Sequence, residues 1–458
     1  MKFNRVMIAA PKSGSGKTTI TCAVLQALKD MGKSVAAYKC GPDYIDPMFH
    51  LKVIDIPSKN LDTFFTGEEV TKDLCLKDRT EEDFAVMEGV MGLFDGLGGV
   101  REEGSSYHLA KVTKTPIILV VDAKGMGRSV IPLIAGFLAY DSEHLIKGVI
   151  LNRMSKSFYE TIKPLIETQL DISVLGCLPE SVQFHIKSRH LGLMMPDELN
   201  NIKEQLKEAA EELQKTVSIE KIIEIGETAE EPEESSQGIQ VIKGTRSDEA
   251  PVIAVARDEA FCFYYEDNLR ILKEYGAKLK YFSPIHDECL PEGSSGLLLG
   301  GGYPELYGAQ LSRNKKMQIA IKTAIAGGMP VVAECGGFMY LHSKIVDKEK
   351  QSFKMAGVIP ADCYYTGKSV RFGYIELREK KHNFLPDGEV IKGHEFHYYE
   401  SENSGEDCLA IKPVSKKSYP CVISGENCFM GFPHLYYPSN PAFAETFVEK
   451  SVVYLKRS

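Results

Sequence analysis

Tryptophan is absent from the 458 residues, and nothing about function follows from that. Other absences exclude more. No apolar run approaches the ~20 residues that a bilayer span needs, so no membrane partner is expected. The apolar stretch in the N-terminal MKFNRVMIAAPKSGSGKT is too short for a secretory signal, and a cytoplasmic protein is expected. A basic excess is missing as well. Lys and Arg number 54 against 63 Asp and Glu, a formal net charge of −9. Nucleic acid held through its phosphates is therefore not an expected partner. The 11 cysteines are odd in number and scattered, and none forms a C-x-x-C pair. A disulfide frame and a thiolate zinc site are both excluded, which leaves reduced, buried thiols.

What is present reads as a soluble globular chain, 43% hydrophobic and 26% charged, long enough for two or three domains. In the first half, short apolar runs alternate with helical patterns. Strands are predicted at 6–10, 34–39, 84–88, 117–122, 147–152 and 172–178, and a helix at 18–31. That alternation implies a mostly parallel sheet with helices on both faces. A charged helical segment covers 198–215. Residues 226–238, GETAEEPEESSQG, hold too few apolar side chains to order themselves. A second alternation then begins, with strands predicted at 252–256, 278–282, 296–299 and 331–333 and a helix at 264–275. The expected plan is two α/β domains, 1–225 and 249–458, joined by an acidic linker at 226–248.

Between the first strand and first helix lies Pro-Lys-Ser-Gly-Ser-Gly-Lys-Thr-Thr, residues 11–19. Small residues there let backbone N–H groups converge on phosphate oxygens at a helix N-terminus. Ser13, Gly14, Ser15, Gly16, Lys17, Thr18 and Thr19 are thus candidate ATP-binding residues. Lys17 is aimed at the β/γ-phosphates and the Thr18 hydroxyl at Mg²⁺. Pro11 takes the position where the usual motif has its first glycine. Lys12 is similar to the second lysine of dimeric partitioning ATPases, which acts across a dimer. A coincidental surface lysine is the alternative, and a homodimer stays open.

Two acidic clusters fall at the carboxyl ends of predicted strands, the edge where ligands bind in open parallel sheets. One holds Asp43 and Asp46 in G-P-D-Y-I-D-P. The other holds Glu88 and Asp95 in E-G-V-M-G-L-F-D-G. Four carboxylates beside a triphosphate need cations, and Thr18, Asp43 and Glu88 are the candidate metal ligands. Turn chemistry is the other reading of such Asp-Pro and Asp-Gly pairs. Asn152, at a strand end, is a candidate for reading the adenine edge, or else a strand-end cap.

Cys335 stands apart from the other cysteines. In V-V-A-E-C-G-G it follows an apolar strand directly and precedes two glycines and a helix. A sharp strand–turn–helix exposes a nucleophile and places it at a helix N-terminus, which lowers a thiol pKa. A thiol needs a base. The candidates are His434 in G-F-P-H and the pair His394 and His397 in G-H-E-F-H, and spacing does not choose between them. Gly301 and Gly302 in G-G-G-Y-P-E, with Gly336, are candidate oxyanion donors.

At this point both halves resemble known families. G-G-G-Y-P-E, A-E-C-G-G and the late F-P-H resemble the class I glutamine amidotransferases. S-G-S-G-K-T-T, Y-K, E-G-x-x-G and L-N-R resemble the dethiobiotin synthetase group of P-loop enzymes. In this order, with G-P-D-Y-I-D-P and G-L-F-D-G, the chain resembles the cobyrinic acid a,c-diamide synthase family over all but the linker. The resemblance implies ATP·Mg²⁺-dependent phosphorylation of the a and c acetates of a corrinoid, then amidation by ammonia from glutamine. It implies Cys335 as nucleophile, His434 as base, functional carboxylates at Asp43, Asp46, Glu88 and Asp95, and Lys39 of Y-K at the nucleotide. Hydrogenobyrinic acid and Ni-sirohydrochlorin are alternative acceptors. A partitioning-type ATPase switch is the competing class, favoured by Lys12 and opposed by G-P-D-Y-I-D-P and Cys335. Standard class I enzymes carry a Glu two residues after the His. Tyr436 stands there, so a Cys–His dyad with slow or coupled glutaminase activity is expected.

Overall fold

The computed structural model describes residues 3–77, 82–180, 196–233 and 250–457. The chain divides into two units, Met1–Gly238 and Ile239–Ser458. The first is built from β1 (Asn4–Ala9), α1 (Lys17–Asp30), β2 (Val35–Cys40), α2 (Ile45–Phe49), β3 (Ser58–Leu61), α3 (Thr63–Leu76), β4 (Phe84–Glu88), α4 (Ser106–Val112), β5 (Ile117–Asp122), α5 (Val130–Tyr140), β6 (Ile146–Asn152), α6 (Lys156–Leu170), β7 (Ser173–Leu178), α7 (Pro196–Thr216) and α8 (Ile219–Glu227). Its seven strands run parallel in the order β3-β2-β4-β1-β5-β6-β7.

Strands covered on both faces need continuous apolar runs, and β1, β4, β5 and β6 have them. Ile20, Val24 and Leu28 of α1 share one core with Leu206 and Leu213 of α7, Ile222 of α8 and Val6, Ile8 and Val86 of the sheet. The edge strand β3, Ser-Lys-Asn-Leu, was not expected. It is short and polar, as edge strands often are. Parallel order brings the carboxyl ends of β1, β2, β4 and β6 to the edge where the phosphate loop leaves β1.

Arg5 of β1 is fully buried. Its guanidinium donates to Thr113 O, Phe3 O, Thr115 Oγ1 and Glu230 O. The Phe3 N–H donates to Glu231 Oε1 at 2.7 Å. The start of the expected acidic linker is thus helical through Glu227 and then pinned to β1. Residues 234–248 of that linker lie outside the described residues.

The second unit begins with β8 (Val252–Ala256), β9 (Phe261–Phe263), α9 (Glu266–Glu274), β10 (Lys278–Phe282), β11 (Ser294–Leu299), β12 (Gly301–Gly302), α10 (Gly308–Arg313), α11 (Lys315–Ala326), β13 (Val331–Glu334) and α12 (Gly336–Leu341). There follow β14 (His342–Val346), β15 (Ser352–Lys354), β16 (Ile359–Tyr365), β17 (Arg371–Glu379), β18 (Ile391–His397), β19 (Tyr399–Ser401), β20 (Cys408–Ile411), β21 (Ser418–Cys421), β22 (Ile423–Gly425), β23 (Cys428–Gly431), β24 (His434–Leu435) and α13 (Pro441–Leu455). The central sheet runs β10-β8-β11-β13-β23-β22, parallel except for β22. Two further sheets, β15-β14-β16-β19 and the antiparallel β21-β20-β17-β18-β24, were not expected. Among the described residues no helix is long and apolar enough to cross a membrane.

Replacing Arg5 by Met removes the donor of several buried carbonyls at once. The variant should lose about 3 kcal/mol of stability, measured as an earlier first-unit transition in chemical unfolding.

Candidate active sites

The phosphate loop is braced before any ligand arrives. Gly14 and Gly16 take φ of +76° and +92°, where side chains other than glycine's are strained. A Cβ on Gly16 would also fall 2.1 Å from Asn152 Nδ2. Ser15 Oγ donates to Lys12 O at 2.9 Å, while Lys12 and Ser13 are exposed. Lys17, Thr18 and Thr19 form the first turn of α1. The Lys17 ammonium donates to Met91 O at 2.5 Å. Burial, and secondly the charge of Lys39, push it down to about 8. Asn152 donates to Ser15 O at 2.8 Å and accepts from the Arg153 N–H. Its amide is committed to the loop, and an adenine contact would require it to leave.

The expected carboxylates divide into two pairs. Glu88, fully buried at the end of β4, accepts from Thr18 Oγ1 at 2.6 Å and from Lys39 Nζ at 3.0 Å. Lys39 Nζ also lies 2.6 Å from Asp46 Oδ2. Burial opposes its charge, but Glu88 and Asp46 hold it well above the usual lysine range. Glu88 is also desolvated, yet Lys39 and His50 hold it below the carboxylate range. Asp46 goes the other way, pushed up by burial and then by Glu88. One cation serves two acids. The remaining pair are turn braces. Asp43 Oδ1 accepts from the Ile45 N–H at 2.7 Å, and Asp95 Oδ2 from the Gly92 N–H at 3.0 Å. Of the three candidate metal ligands, Thr18 and Glu88 are in contact, and Asp43 is occupied with its own turn.

In the second unit β13 ends at Glu334 and α12 starts at Gly336. Cys335 is the turn between them, at φ +46° and ψ −103°. The elbow is therefore sharp, and strained for a non-glycine residue. The Gly336 N–H is hydrogen bonded to the thiol. A Cβ on Gly336 would fall 3.0 Å from Gly302 N, and one on Gly301 only 2.4 Å from His434 Cε1. Gly301, Gly302, Gly336 and His434 thus converge around Cys335. The Gly336 N–H at the start of α12 does lower the thiol pKa, but it is outweighed. Burial raises it, with the carboxylate of Glu305 adding.

His434 is 3% exposed, and burial holds its imidazole well below the usual histidine range, with His394 and His397 adding. His394 lies directly opposite it in the β18–β24 pair, its ring stacked at 5.0 Å and 17°. Burial pushes His394 down to about 3, and its Nδ1 lies 3.1 Å from the Tyr265 hydroxyl. His397 stacks on Phe432 at 4.1 Å instead. The Tyr436 hydroxyl donates to Asp267 at 2.9 Å, so no carboxylate replaces the missing Glu from that position.

The CobB/CobQ-like glutamine amidotransferase domain matches residues 252–439. The CobQ/CobB/MinD/ParA nucleotide binding domain matches residues 6–193. A cobyrinate a,c-diamide synthase of Caldanaerobacter subterraneus is 41% identical over 94% of both chains. One of Dehalococcoides mccartyi is 35% identical over 98% of this chain and 99% of its own. One of Thermoplasma volcanium is 37% identical over 100% and 99%. The chain belongs to the cobyrinate a,c-diamide synthase family. It is a glutamine-dependent ligase whose first unit is the nucleotide-binding domain and whose second is the amidotransferase.

Sequence reasoning for this family member passed over His50 and Glu334. His50 Nε2 lies 3.5 Å from Glu88 Oε2, reached through α2 and the π-turn His50–Ile54. No pattern in D-P-M-F-H announces it. Glu334, within A-E-C-G-G, accepts from the Leu435 N–H at 3.4 Å and is hydrogen bonded to Tyr437. It grips the strand that carries His434. A Gly301→Ala substitution should push His434 out of place. We expect glutamine-dependent activity to fall at least about 100-fold with ammonia-dependent activity retained, read in parallel amidation assays.

Proposed function

We propose that this chain amidates the a and c acetate carboxylates of cobyrinic acid, consuming ATP and glutamine. One observation carries the reading. A single chain holds a phosphate loop joined to the Glu88–Lys39–Asp46 cluster and a strained cysteine elbow beside His434. The names of the relatives support the acceptor.

In the first unit a substrate carboxylate oxygen attacks the γ-phosphorus of ATP. The bond to ADP breaks and an acyl phosphate forms. Lys17 and the loop N–H groups take up phosphate charge. Thr18 and Glu88 fit Mg²⁺, since they supply two adjacent hard oxygens and leave the other positions to phosphate and water. Bound there, the ion would offset phosphate charge beside Glu88. Ammonia then attacks the acyl carbon, and phosphate leaves with the C–O electron pair.

In the second unit Cys335 Sγ attacks the side-chain carbonyl of glutamine. His434 takes the thiol proton and returns it to the departing ammonia. The N–H groups of Gly301, Gly302 and Gly336 are the candidate donors to the tetrahedral oxygen. Water then releases glutamate from the thioester. Ammonia delivered without meeting bulk water stays unprotonated and nucleophilic.

The test is glutamine- and ATP-dependent amidation of cobyrinic acid, resolved by chromatography, beside hydrogenobyrinic acid and Ni-sirohydrochlorin. Faster turnover of either alternative would reassign the acceptor. Cys335→Ser should lose glutamine use and keep ammonia-dependent amidation, whereas Lys17→Ala should lose amidation with both nitrogen donors. A folded Cys335→Ser chain inactive with ammonia would refute the division of labour. Because thiol and imidazole both rest uncharged, glutaminase turnover should be slow alone and rise with ATP and corrinoid. Equal rates in both conditions would remove the coupling.

A further inference from the structure

When His434 takes the Cys335 proton, its imidazole becomes a cation. The ring is buried, and a buried charge needs a group that answers it. The ring plane must also be fixed, because an imidazole that turns aims its nitrogen away from the sulfur. One neighbour of His434 meets both needs.

His394 of β18 lies directly opposite His434 of β24 in their antiparallel pair. Side chains opposite each other in such a pair share one face of the sheet. The two imidazoles accordingly stack, with centroids 5.0 Å and planes 17° apart. Phe263 is farther from His434 and tilted, at 6.5 Å and 54°. The strands have no slack, since a Cβ on Gly393 would fall 2.3 Å from His434 O. His394 is itself held from behind. Its Nδ1 lies 3.1 Å from the Tyr265 hydroxyl. The Tyr265 ring meets the Tyr436 ring edge-on at 5.1 Å and 85°. Tyr436 donates its hydroxyl to Asp267 at 2.9 Å, and Arg270 holds Asp267 at 2.8 Å. An aromatic chain thus runs from α9 to the base. A charged His394 would repel a charge on His434, but burial pushes His394 down to about 3. It meets His434 as a neutral ring face. A cation within about 6 Å of such a face is attracted by its π-electrons.

We propose that His394 is a positioning residue for the glutaminase reaction: its ring face fixes the plane of His434 and stabilises the imidazolium that forms there. The inference rests on Cys335 as nucleophile and His434 as base. As the S–H bond of Cys335 breaks, an N–H bond forms on His434 and the positive charge comes to lie against His394. That proton later leaves with the departing ammonia. His394 itself gives and takes no proton.

The experiment measures glutamine hydrolysis by the full chain, with ATP and cobyrinic acid present, for wild type, His394→Leu, His394→Phe, Tyr265→Phe and His434→Ala. Leucine is close to histidine in volume but has no ring face. His394→Leu should lower kcat about 10- to 30-fold and leave the KM for glutamine unchanged. Phenylalanine is larger but keeps the face, and His394→Phe should stay within about 3-fold of the wild-type kcat. Alkylation of Cys335 by iodoacetamide also requires the thiol proton to move. Read on the Cys335 peptide by mass spectrometry, it should slow in His394→Leu and not in His394→Phe. Tyr265→Phe removes only the hydroxyl that holds the imidazole and should lower kcat about 3- to 10-fold. A His394→Leu chain as fast as wild type, or a His394→Phe chain as slow as His394→Leu, overturns the proposal. If His394→Leu does not fold, an unchanged kcat in Tyr265→Phe overturns it. A His434→Ala chain that still hydrolyses glutamine overturns the underlying base assignment instead.

Discussion

The amidotransferase site depends on backbone passing within contact distance of backbone. A Cβ on Gly337 would fall 2.1 Å from Leu299 O, one on Gly302 2.0 Å from Ala260 O, and one on Gly393 2.3 Å from His434 O. Three strand ends and the start of α12 meet where no side chain has room. That closeness brings the candidate oxyanion glycines to the thiol and sets His434 against Gly301. Cys335 takes up the geometry as a strained φ, a conformation that costs on the order of 1–3 kcal/mol. The Cys335 N–H to Gly431 O bond and the Met339 N–H to Cys335 O bond hold it there.

The two sites obey opposite electrostatic rules. The nucleotide site is ionic: Lys39 is buried between Glu88 and Asp46, and Thr18 is bonded to Glu88. Incoming phosphates add negative charge, so cations decide what binds. The thiol site is uncharged at rest. Burial dominates both members of the Cys335–His434 pair and holds each in its neutral form. The net charge of −9 describes neither environment, because local pairing sets both.

The parallel sheets were legible because strands buried on both faces must be continuously apolar. The antiparallel sheets were not. β18 reads Ile-Lys-Gly-His-Glu-Phe-His, which advertises chemistry more than strand. The phosphate loop and cysteine elbow were legible because each is local, a strand, a turn and a helix in sequence. Everything set by tertiary pairing stayed hidden. Asp43 and Asp46 share one motif, yet one braces a turn and the other shares Lys39. The elbow geometry was right, but the lowering that the Gly336 N–H gives the thiol is outweighed by burial. The stack of His394 on His434 needed β18 and β24 side by side, which no spacing reveals.

The resting state of Cys335 has a further consequence. Peroxides attack the thiolate, not the thiol, and exposed low-pKa cysteines are the ones that oxidise. A thiol that is 7% exposed and held protonated by burial is poorly reactive toward oxidants. The burial that holds the thiol neutral thus also shields the sulfur from oxidants.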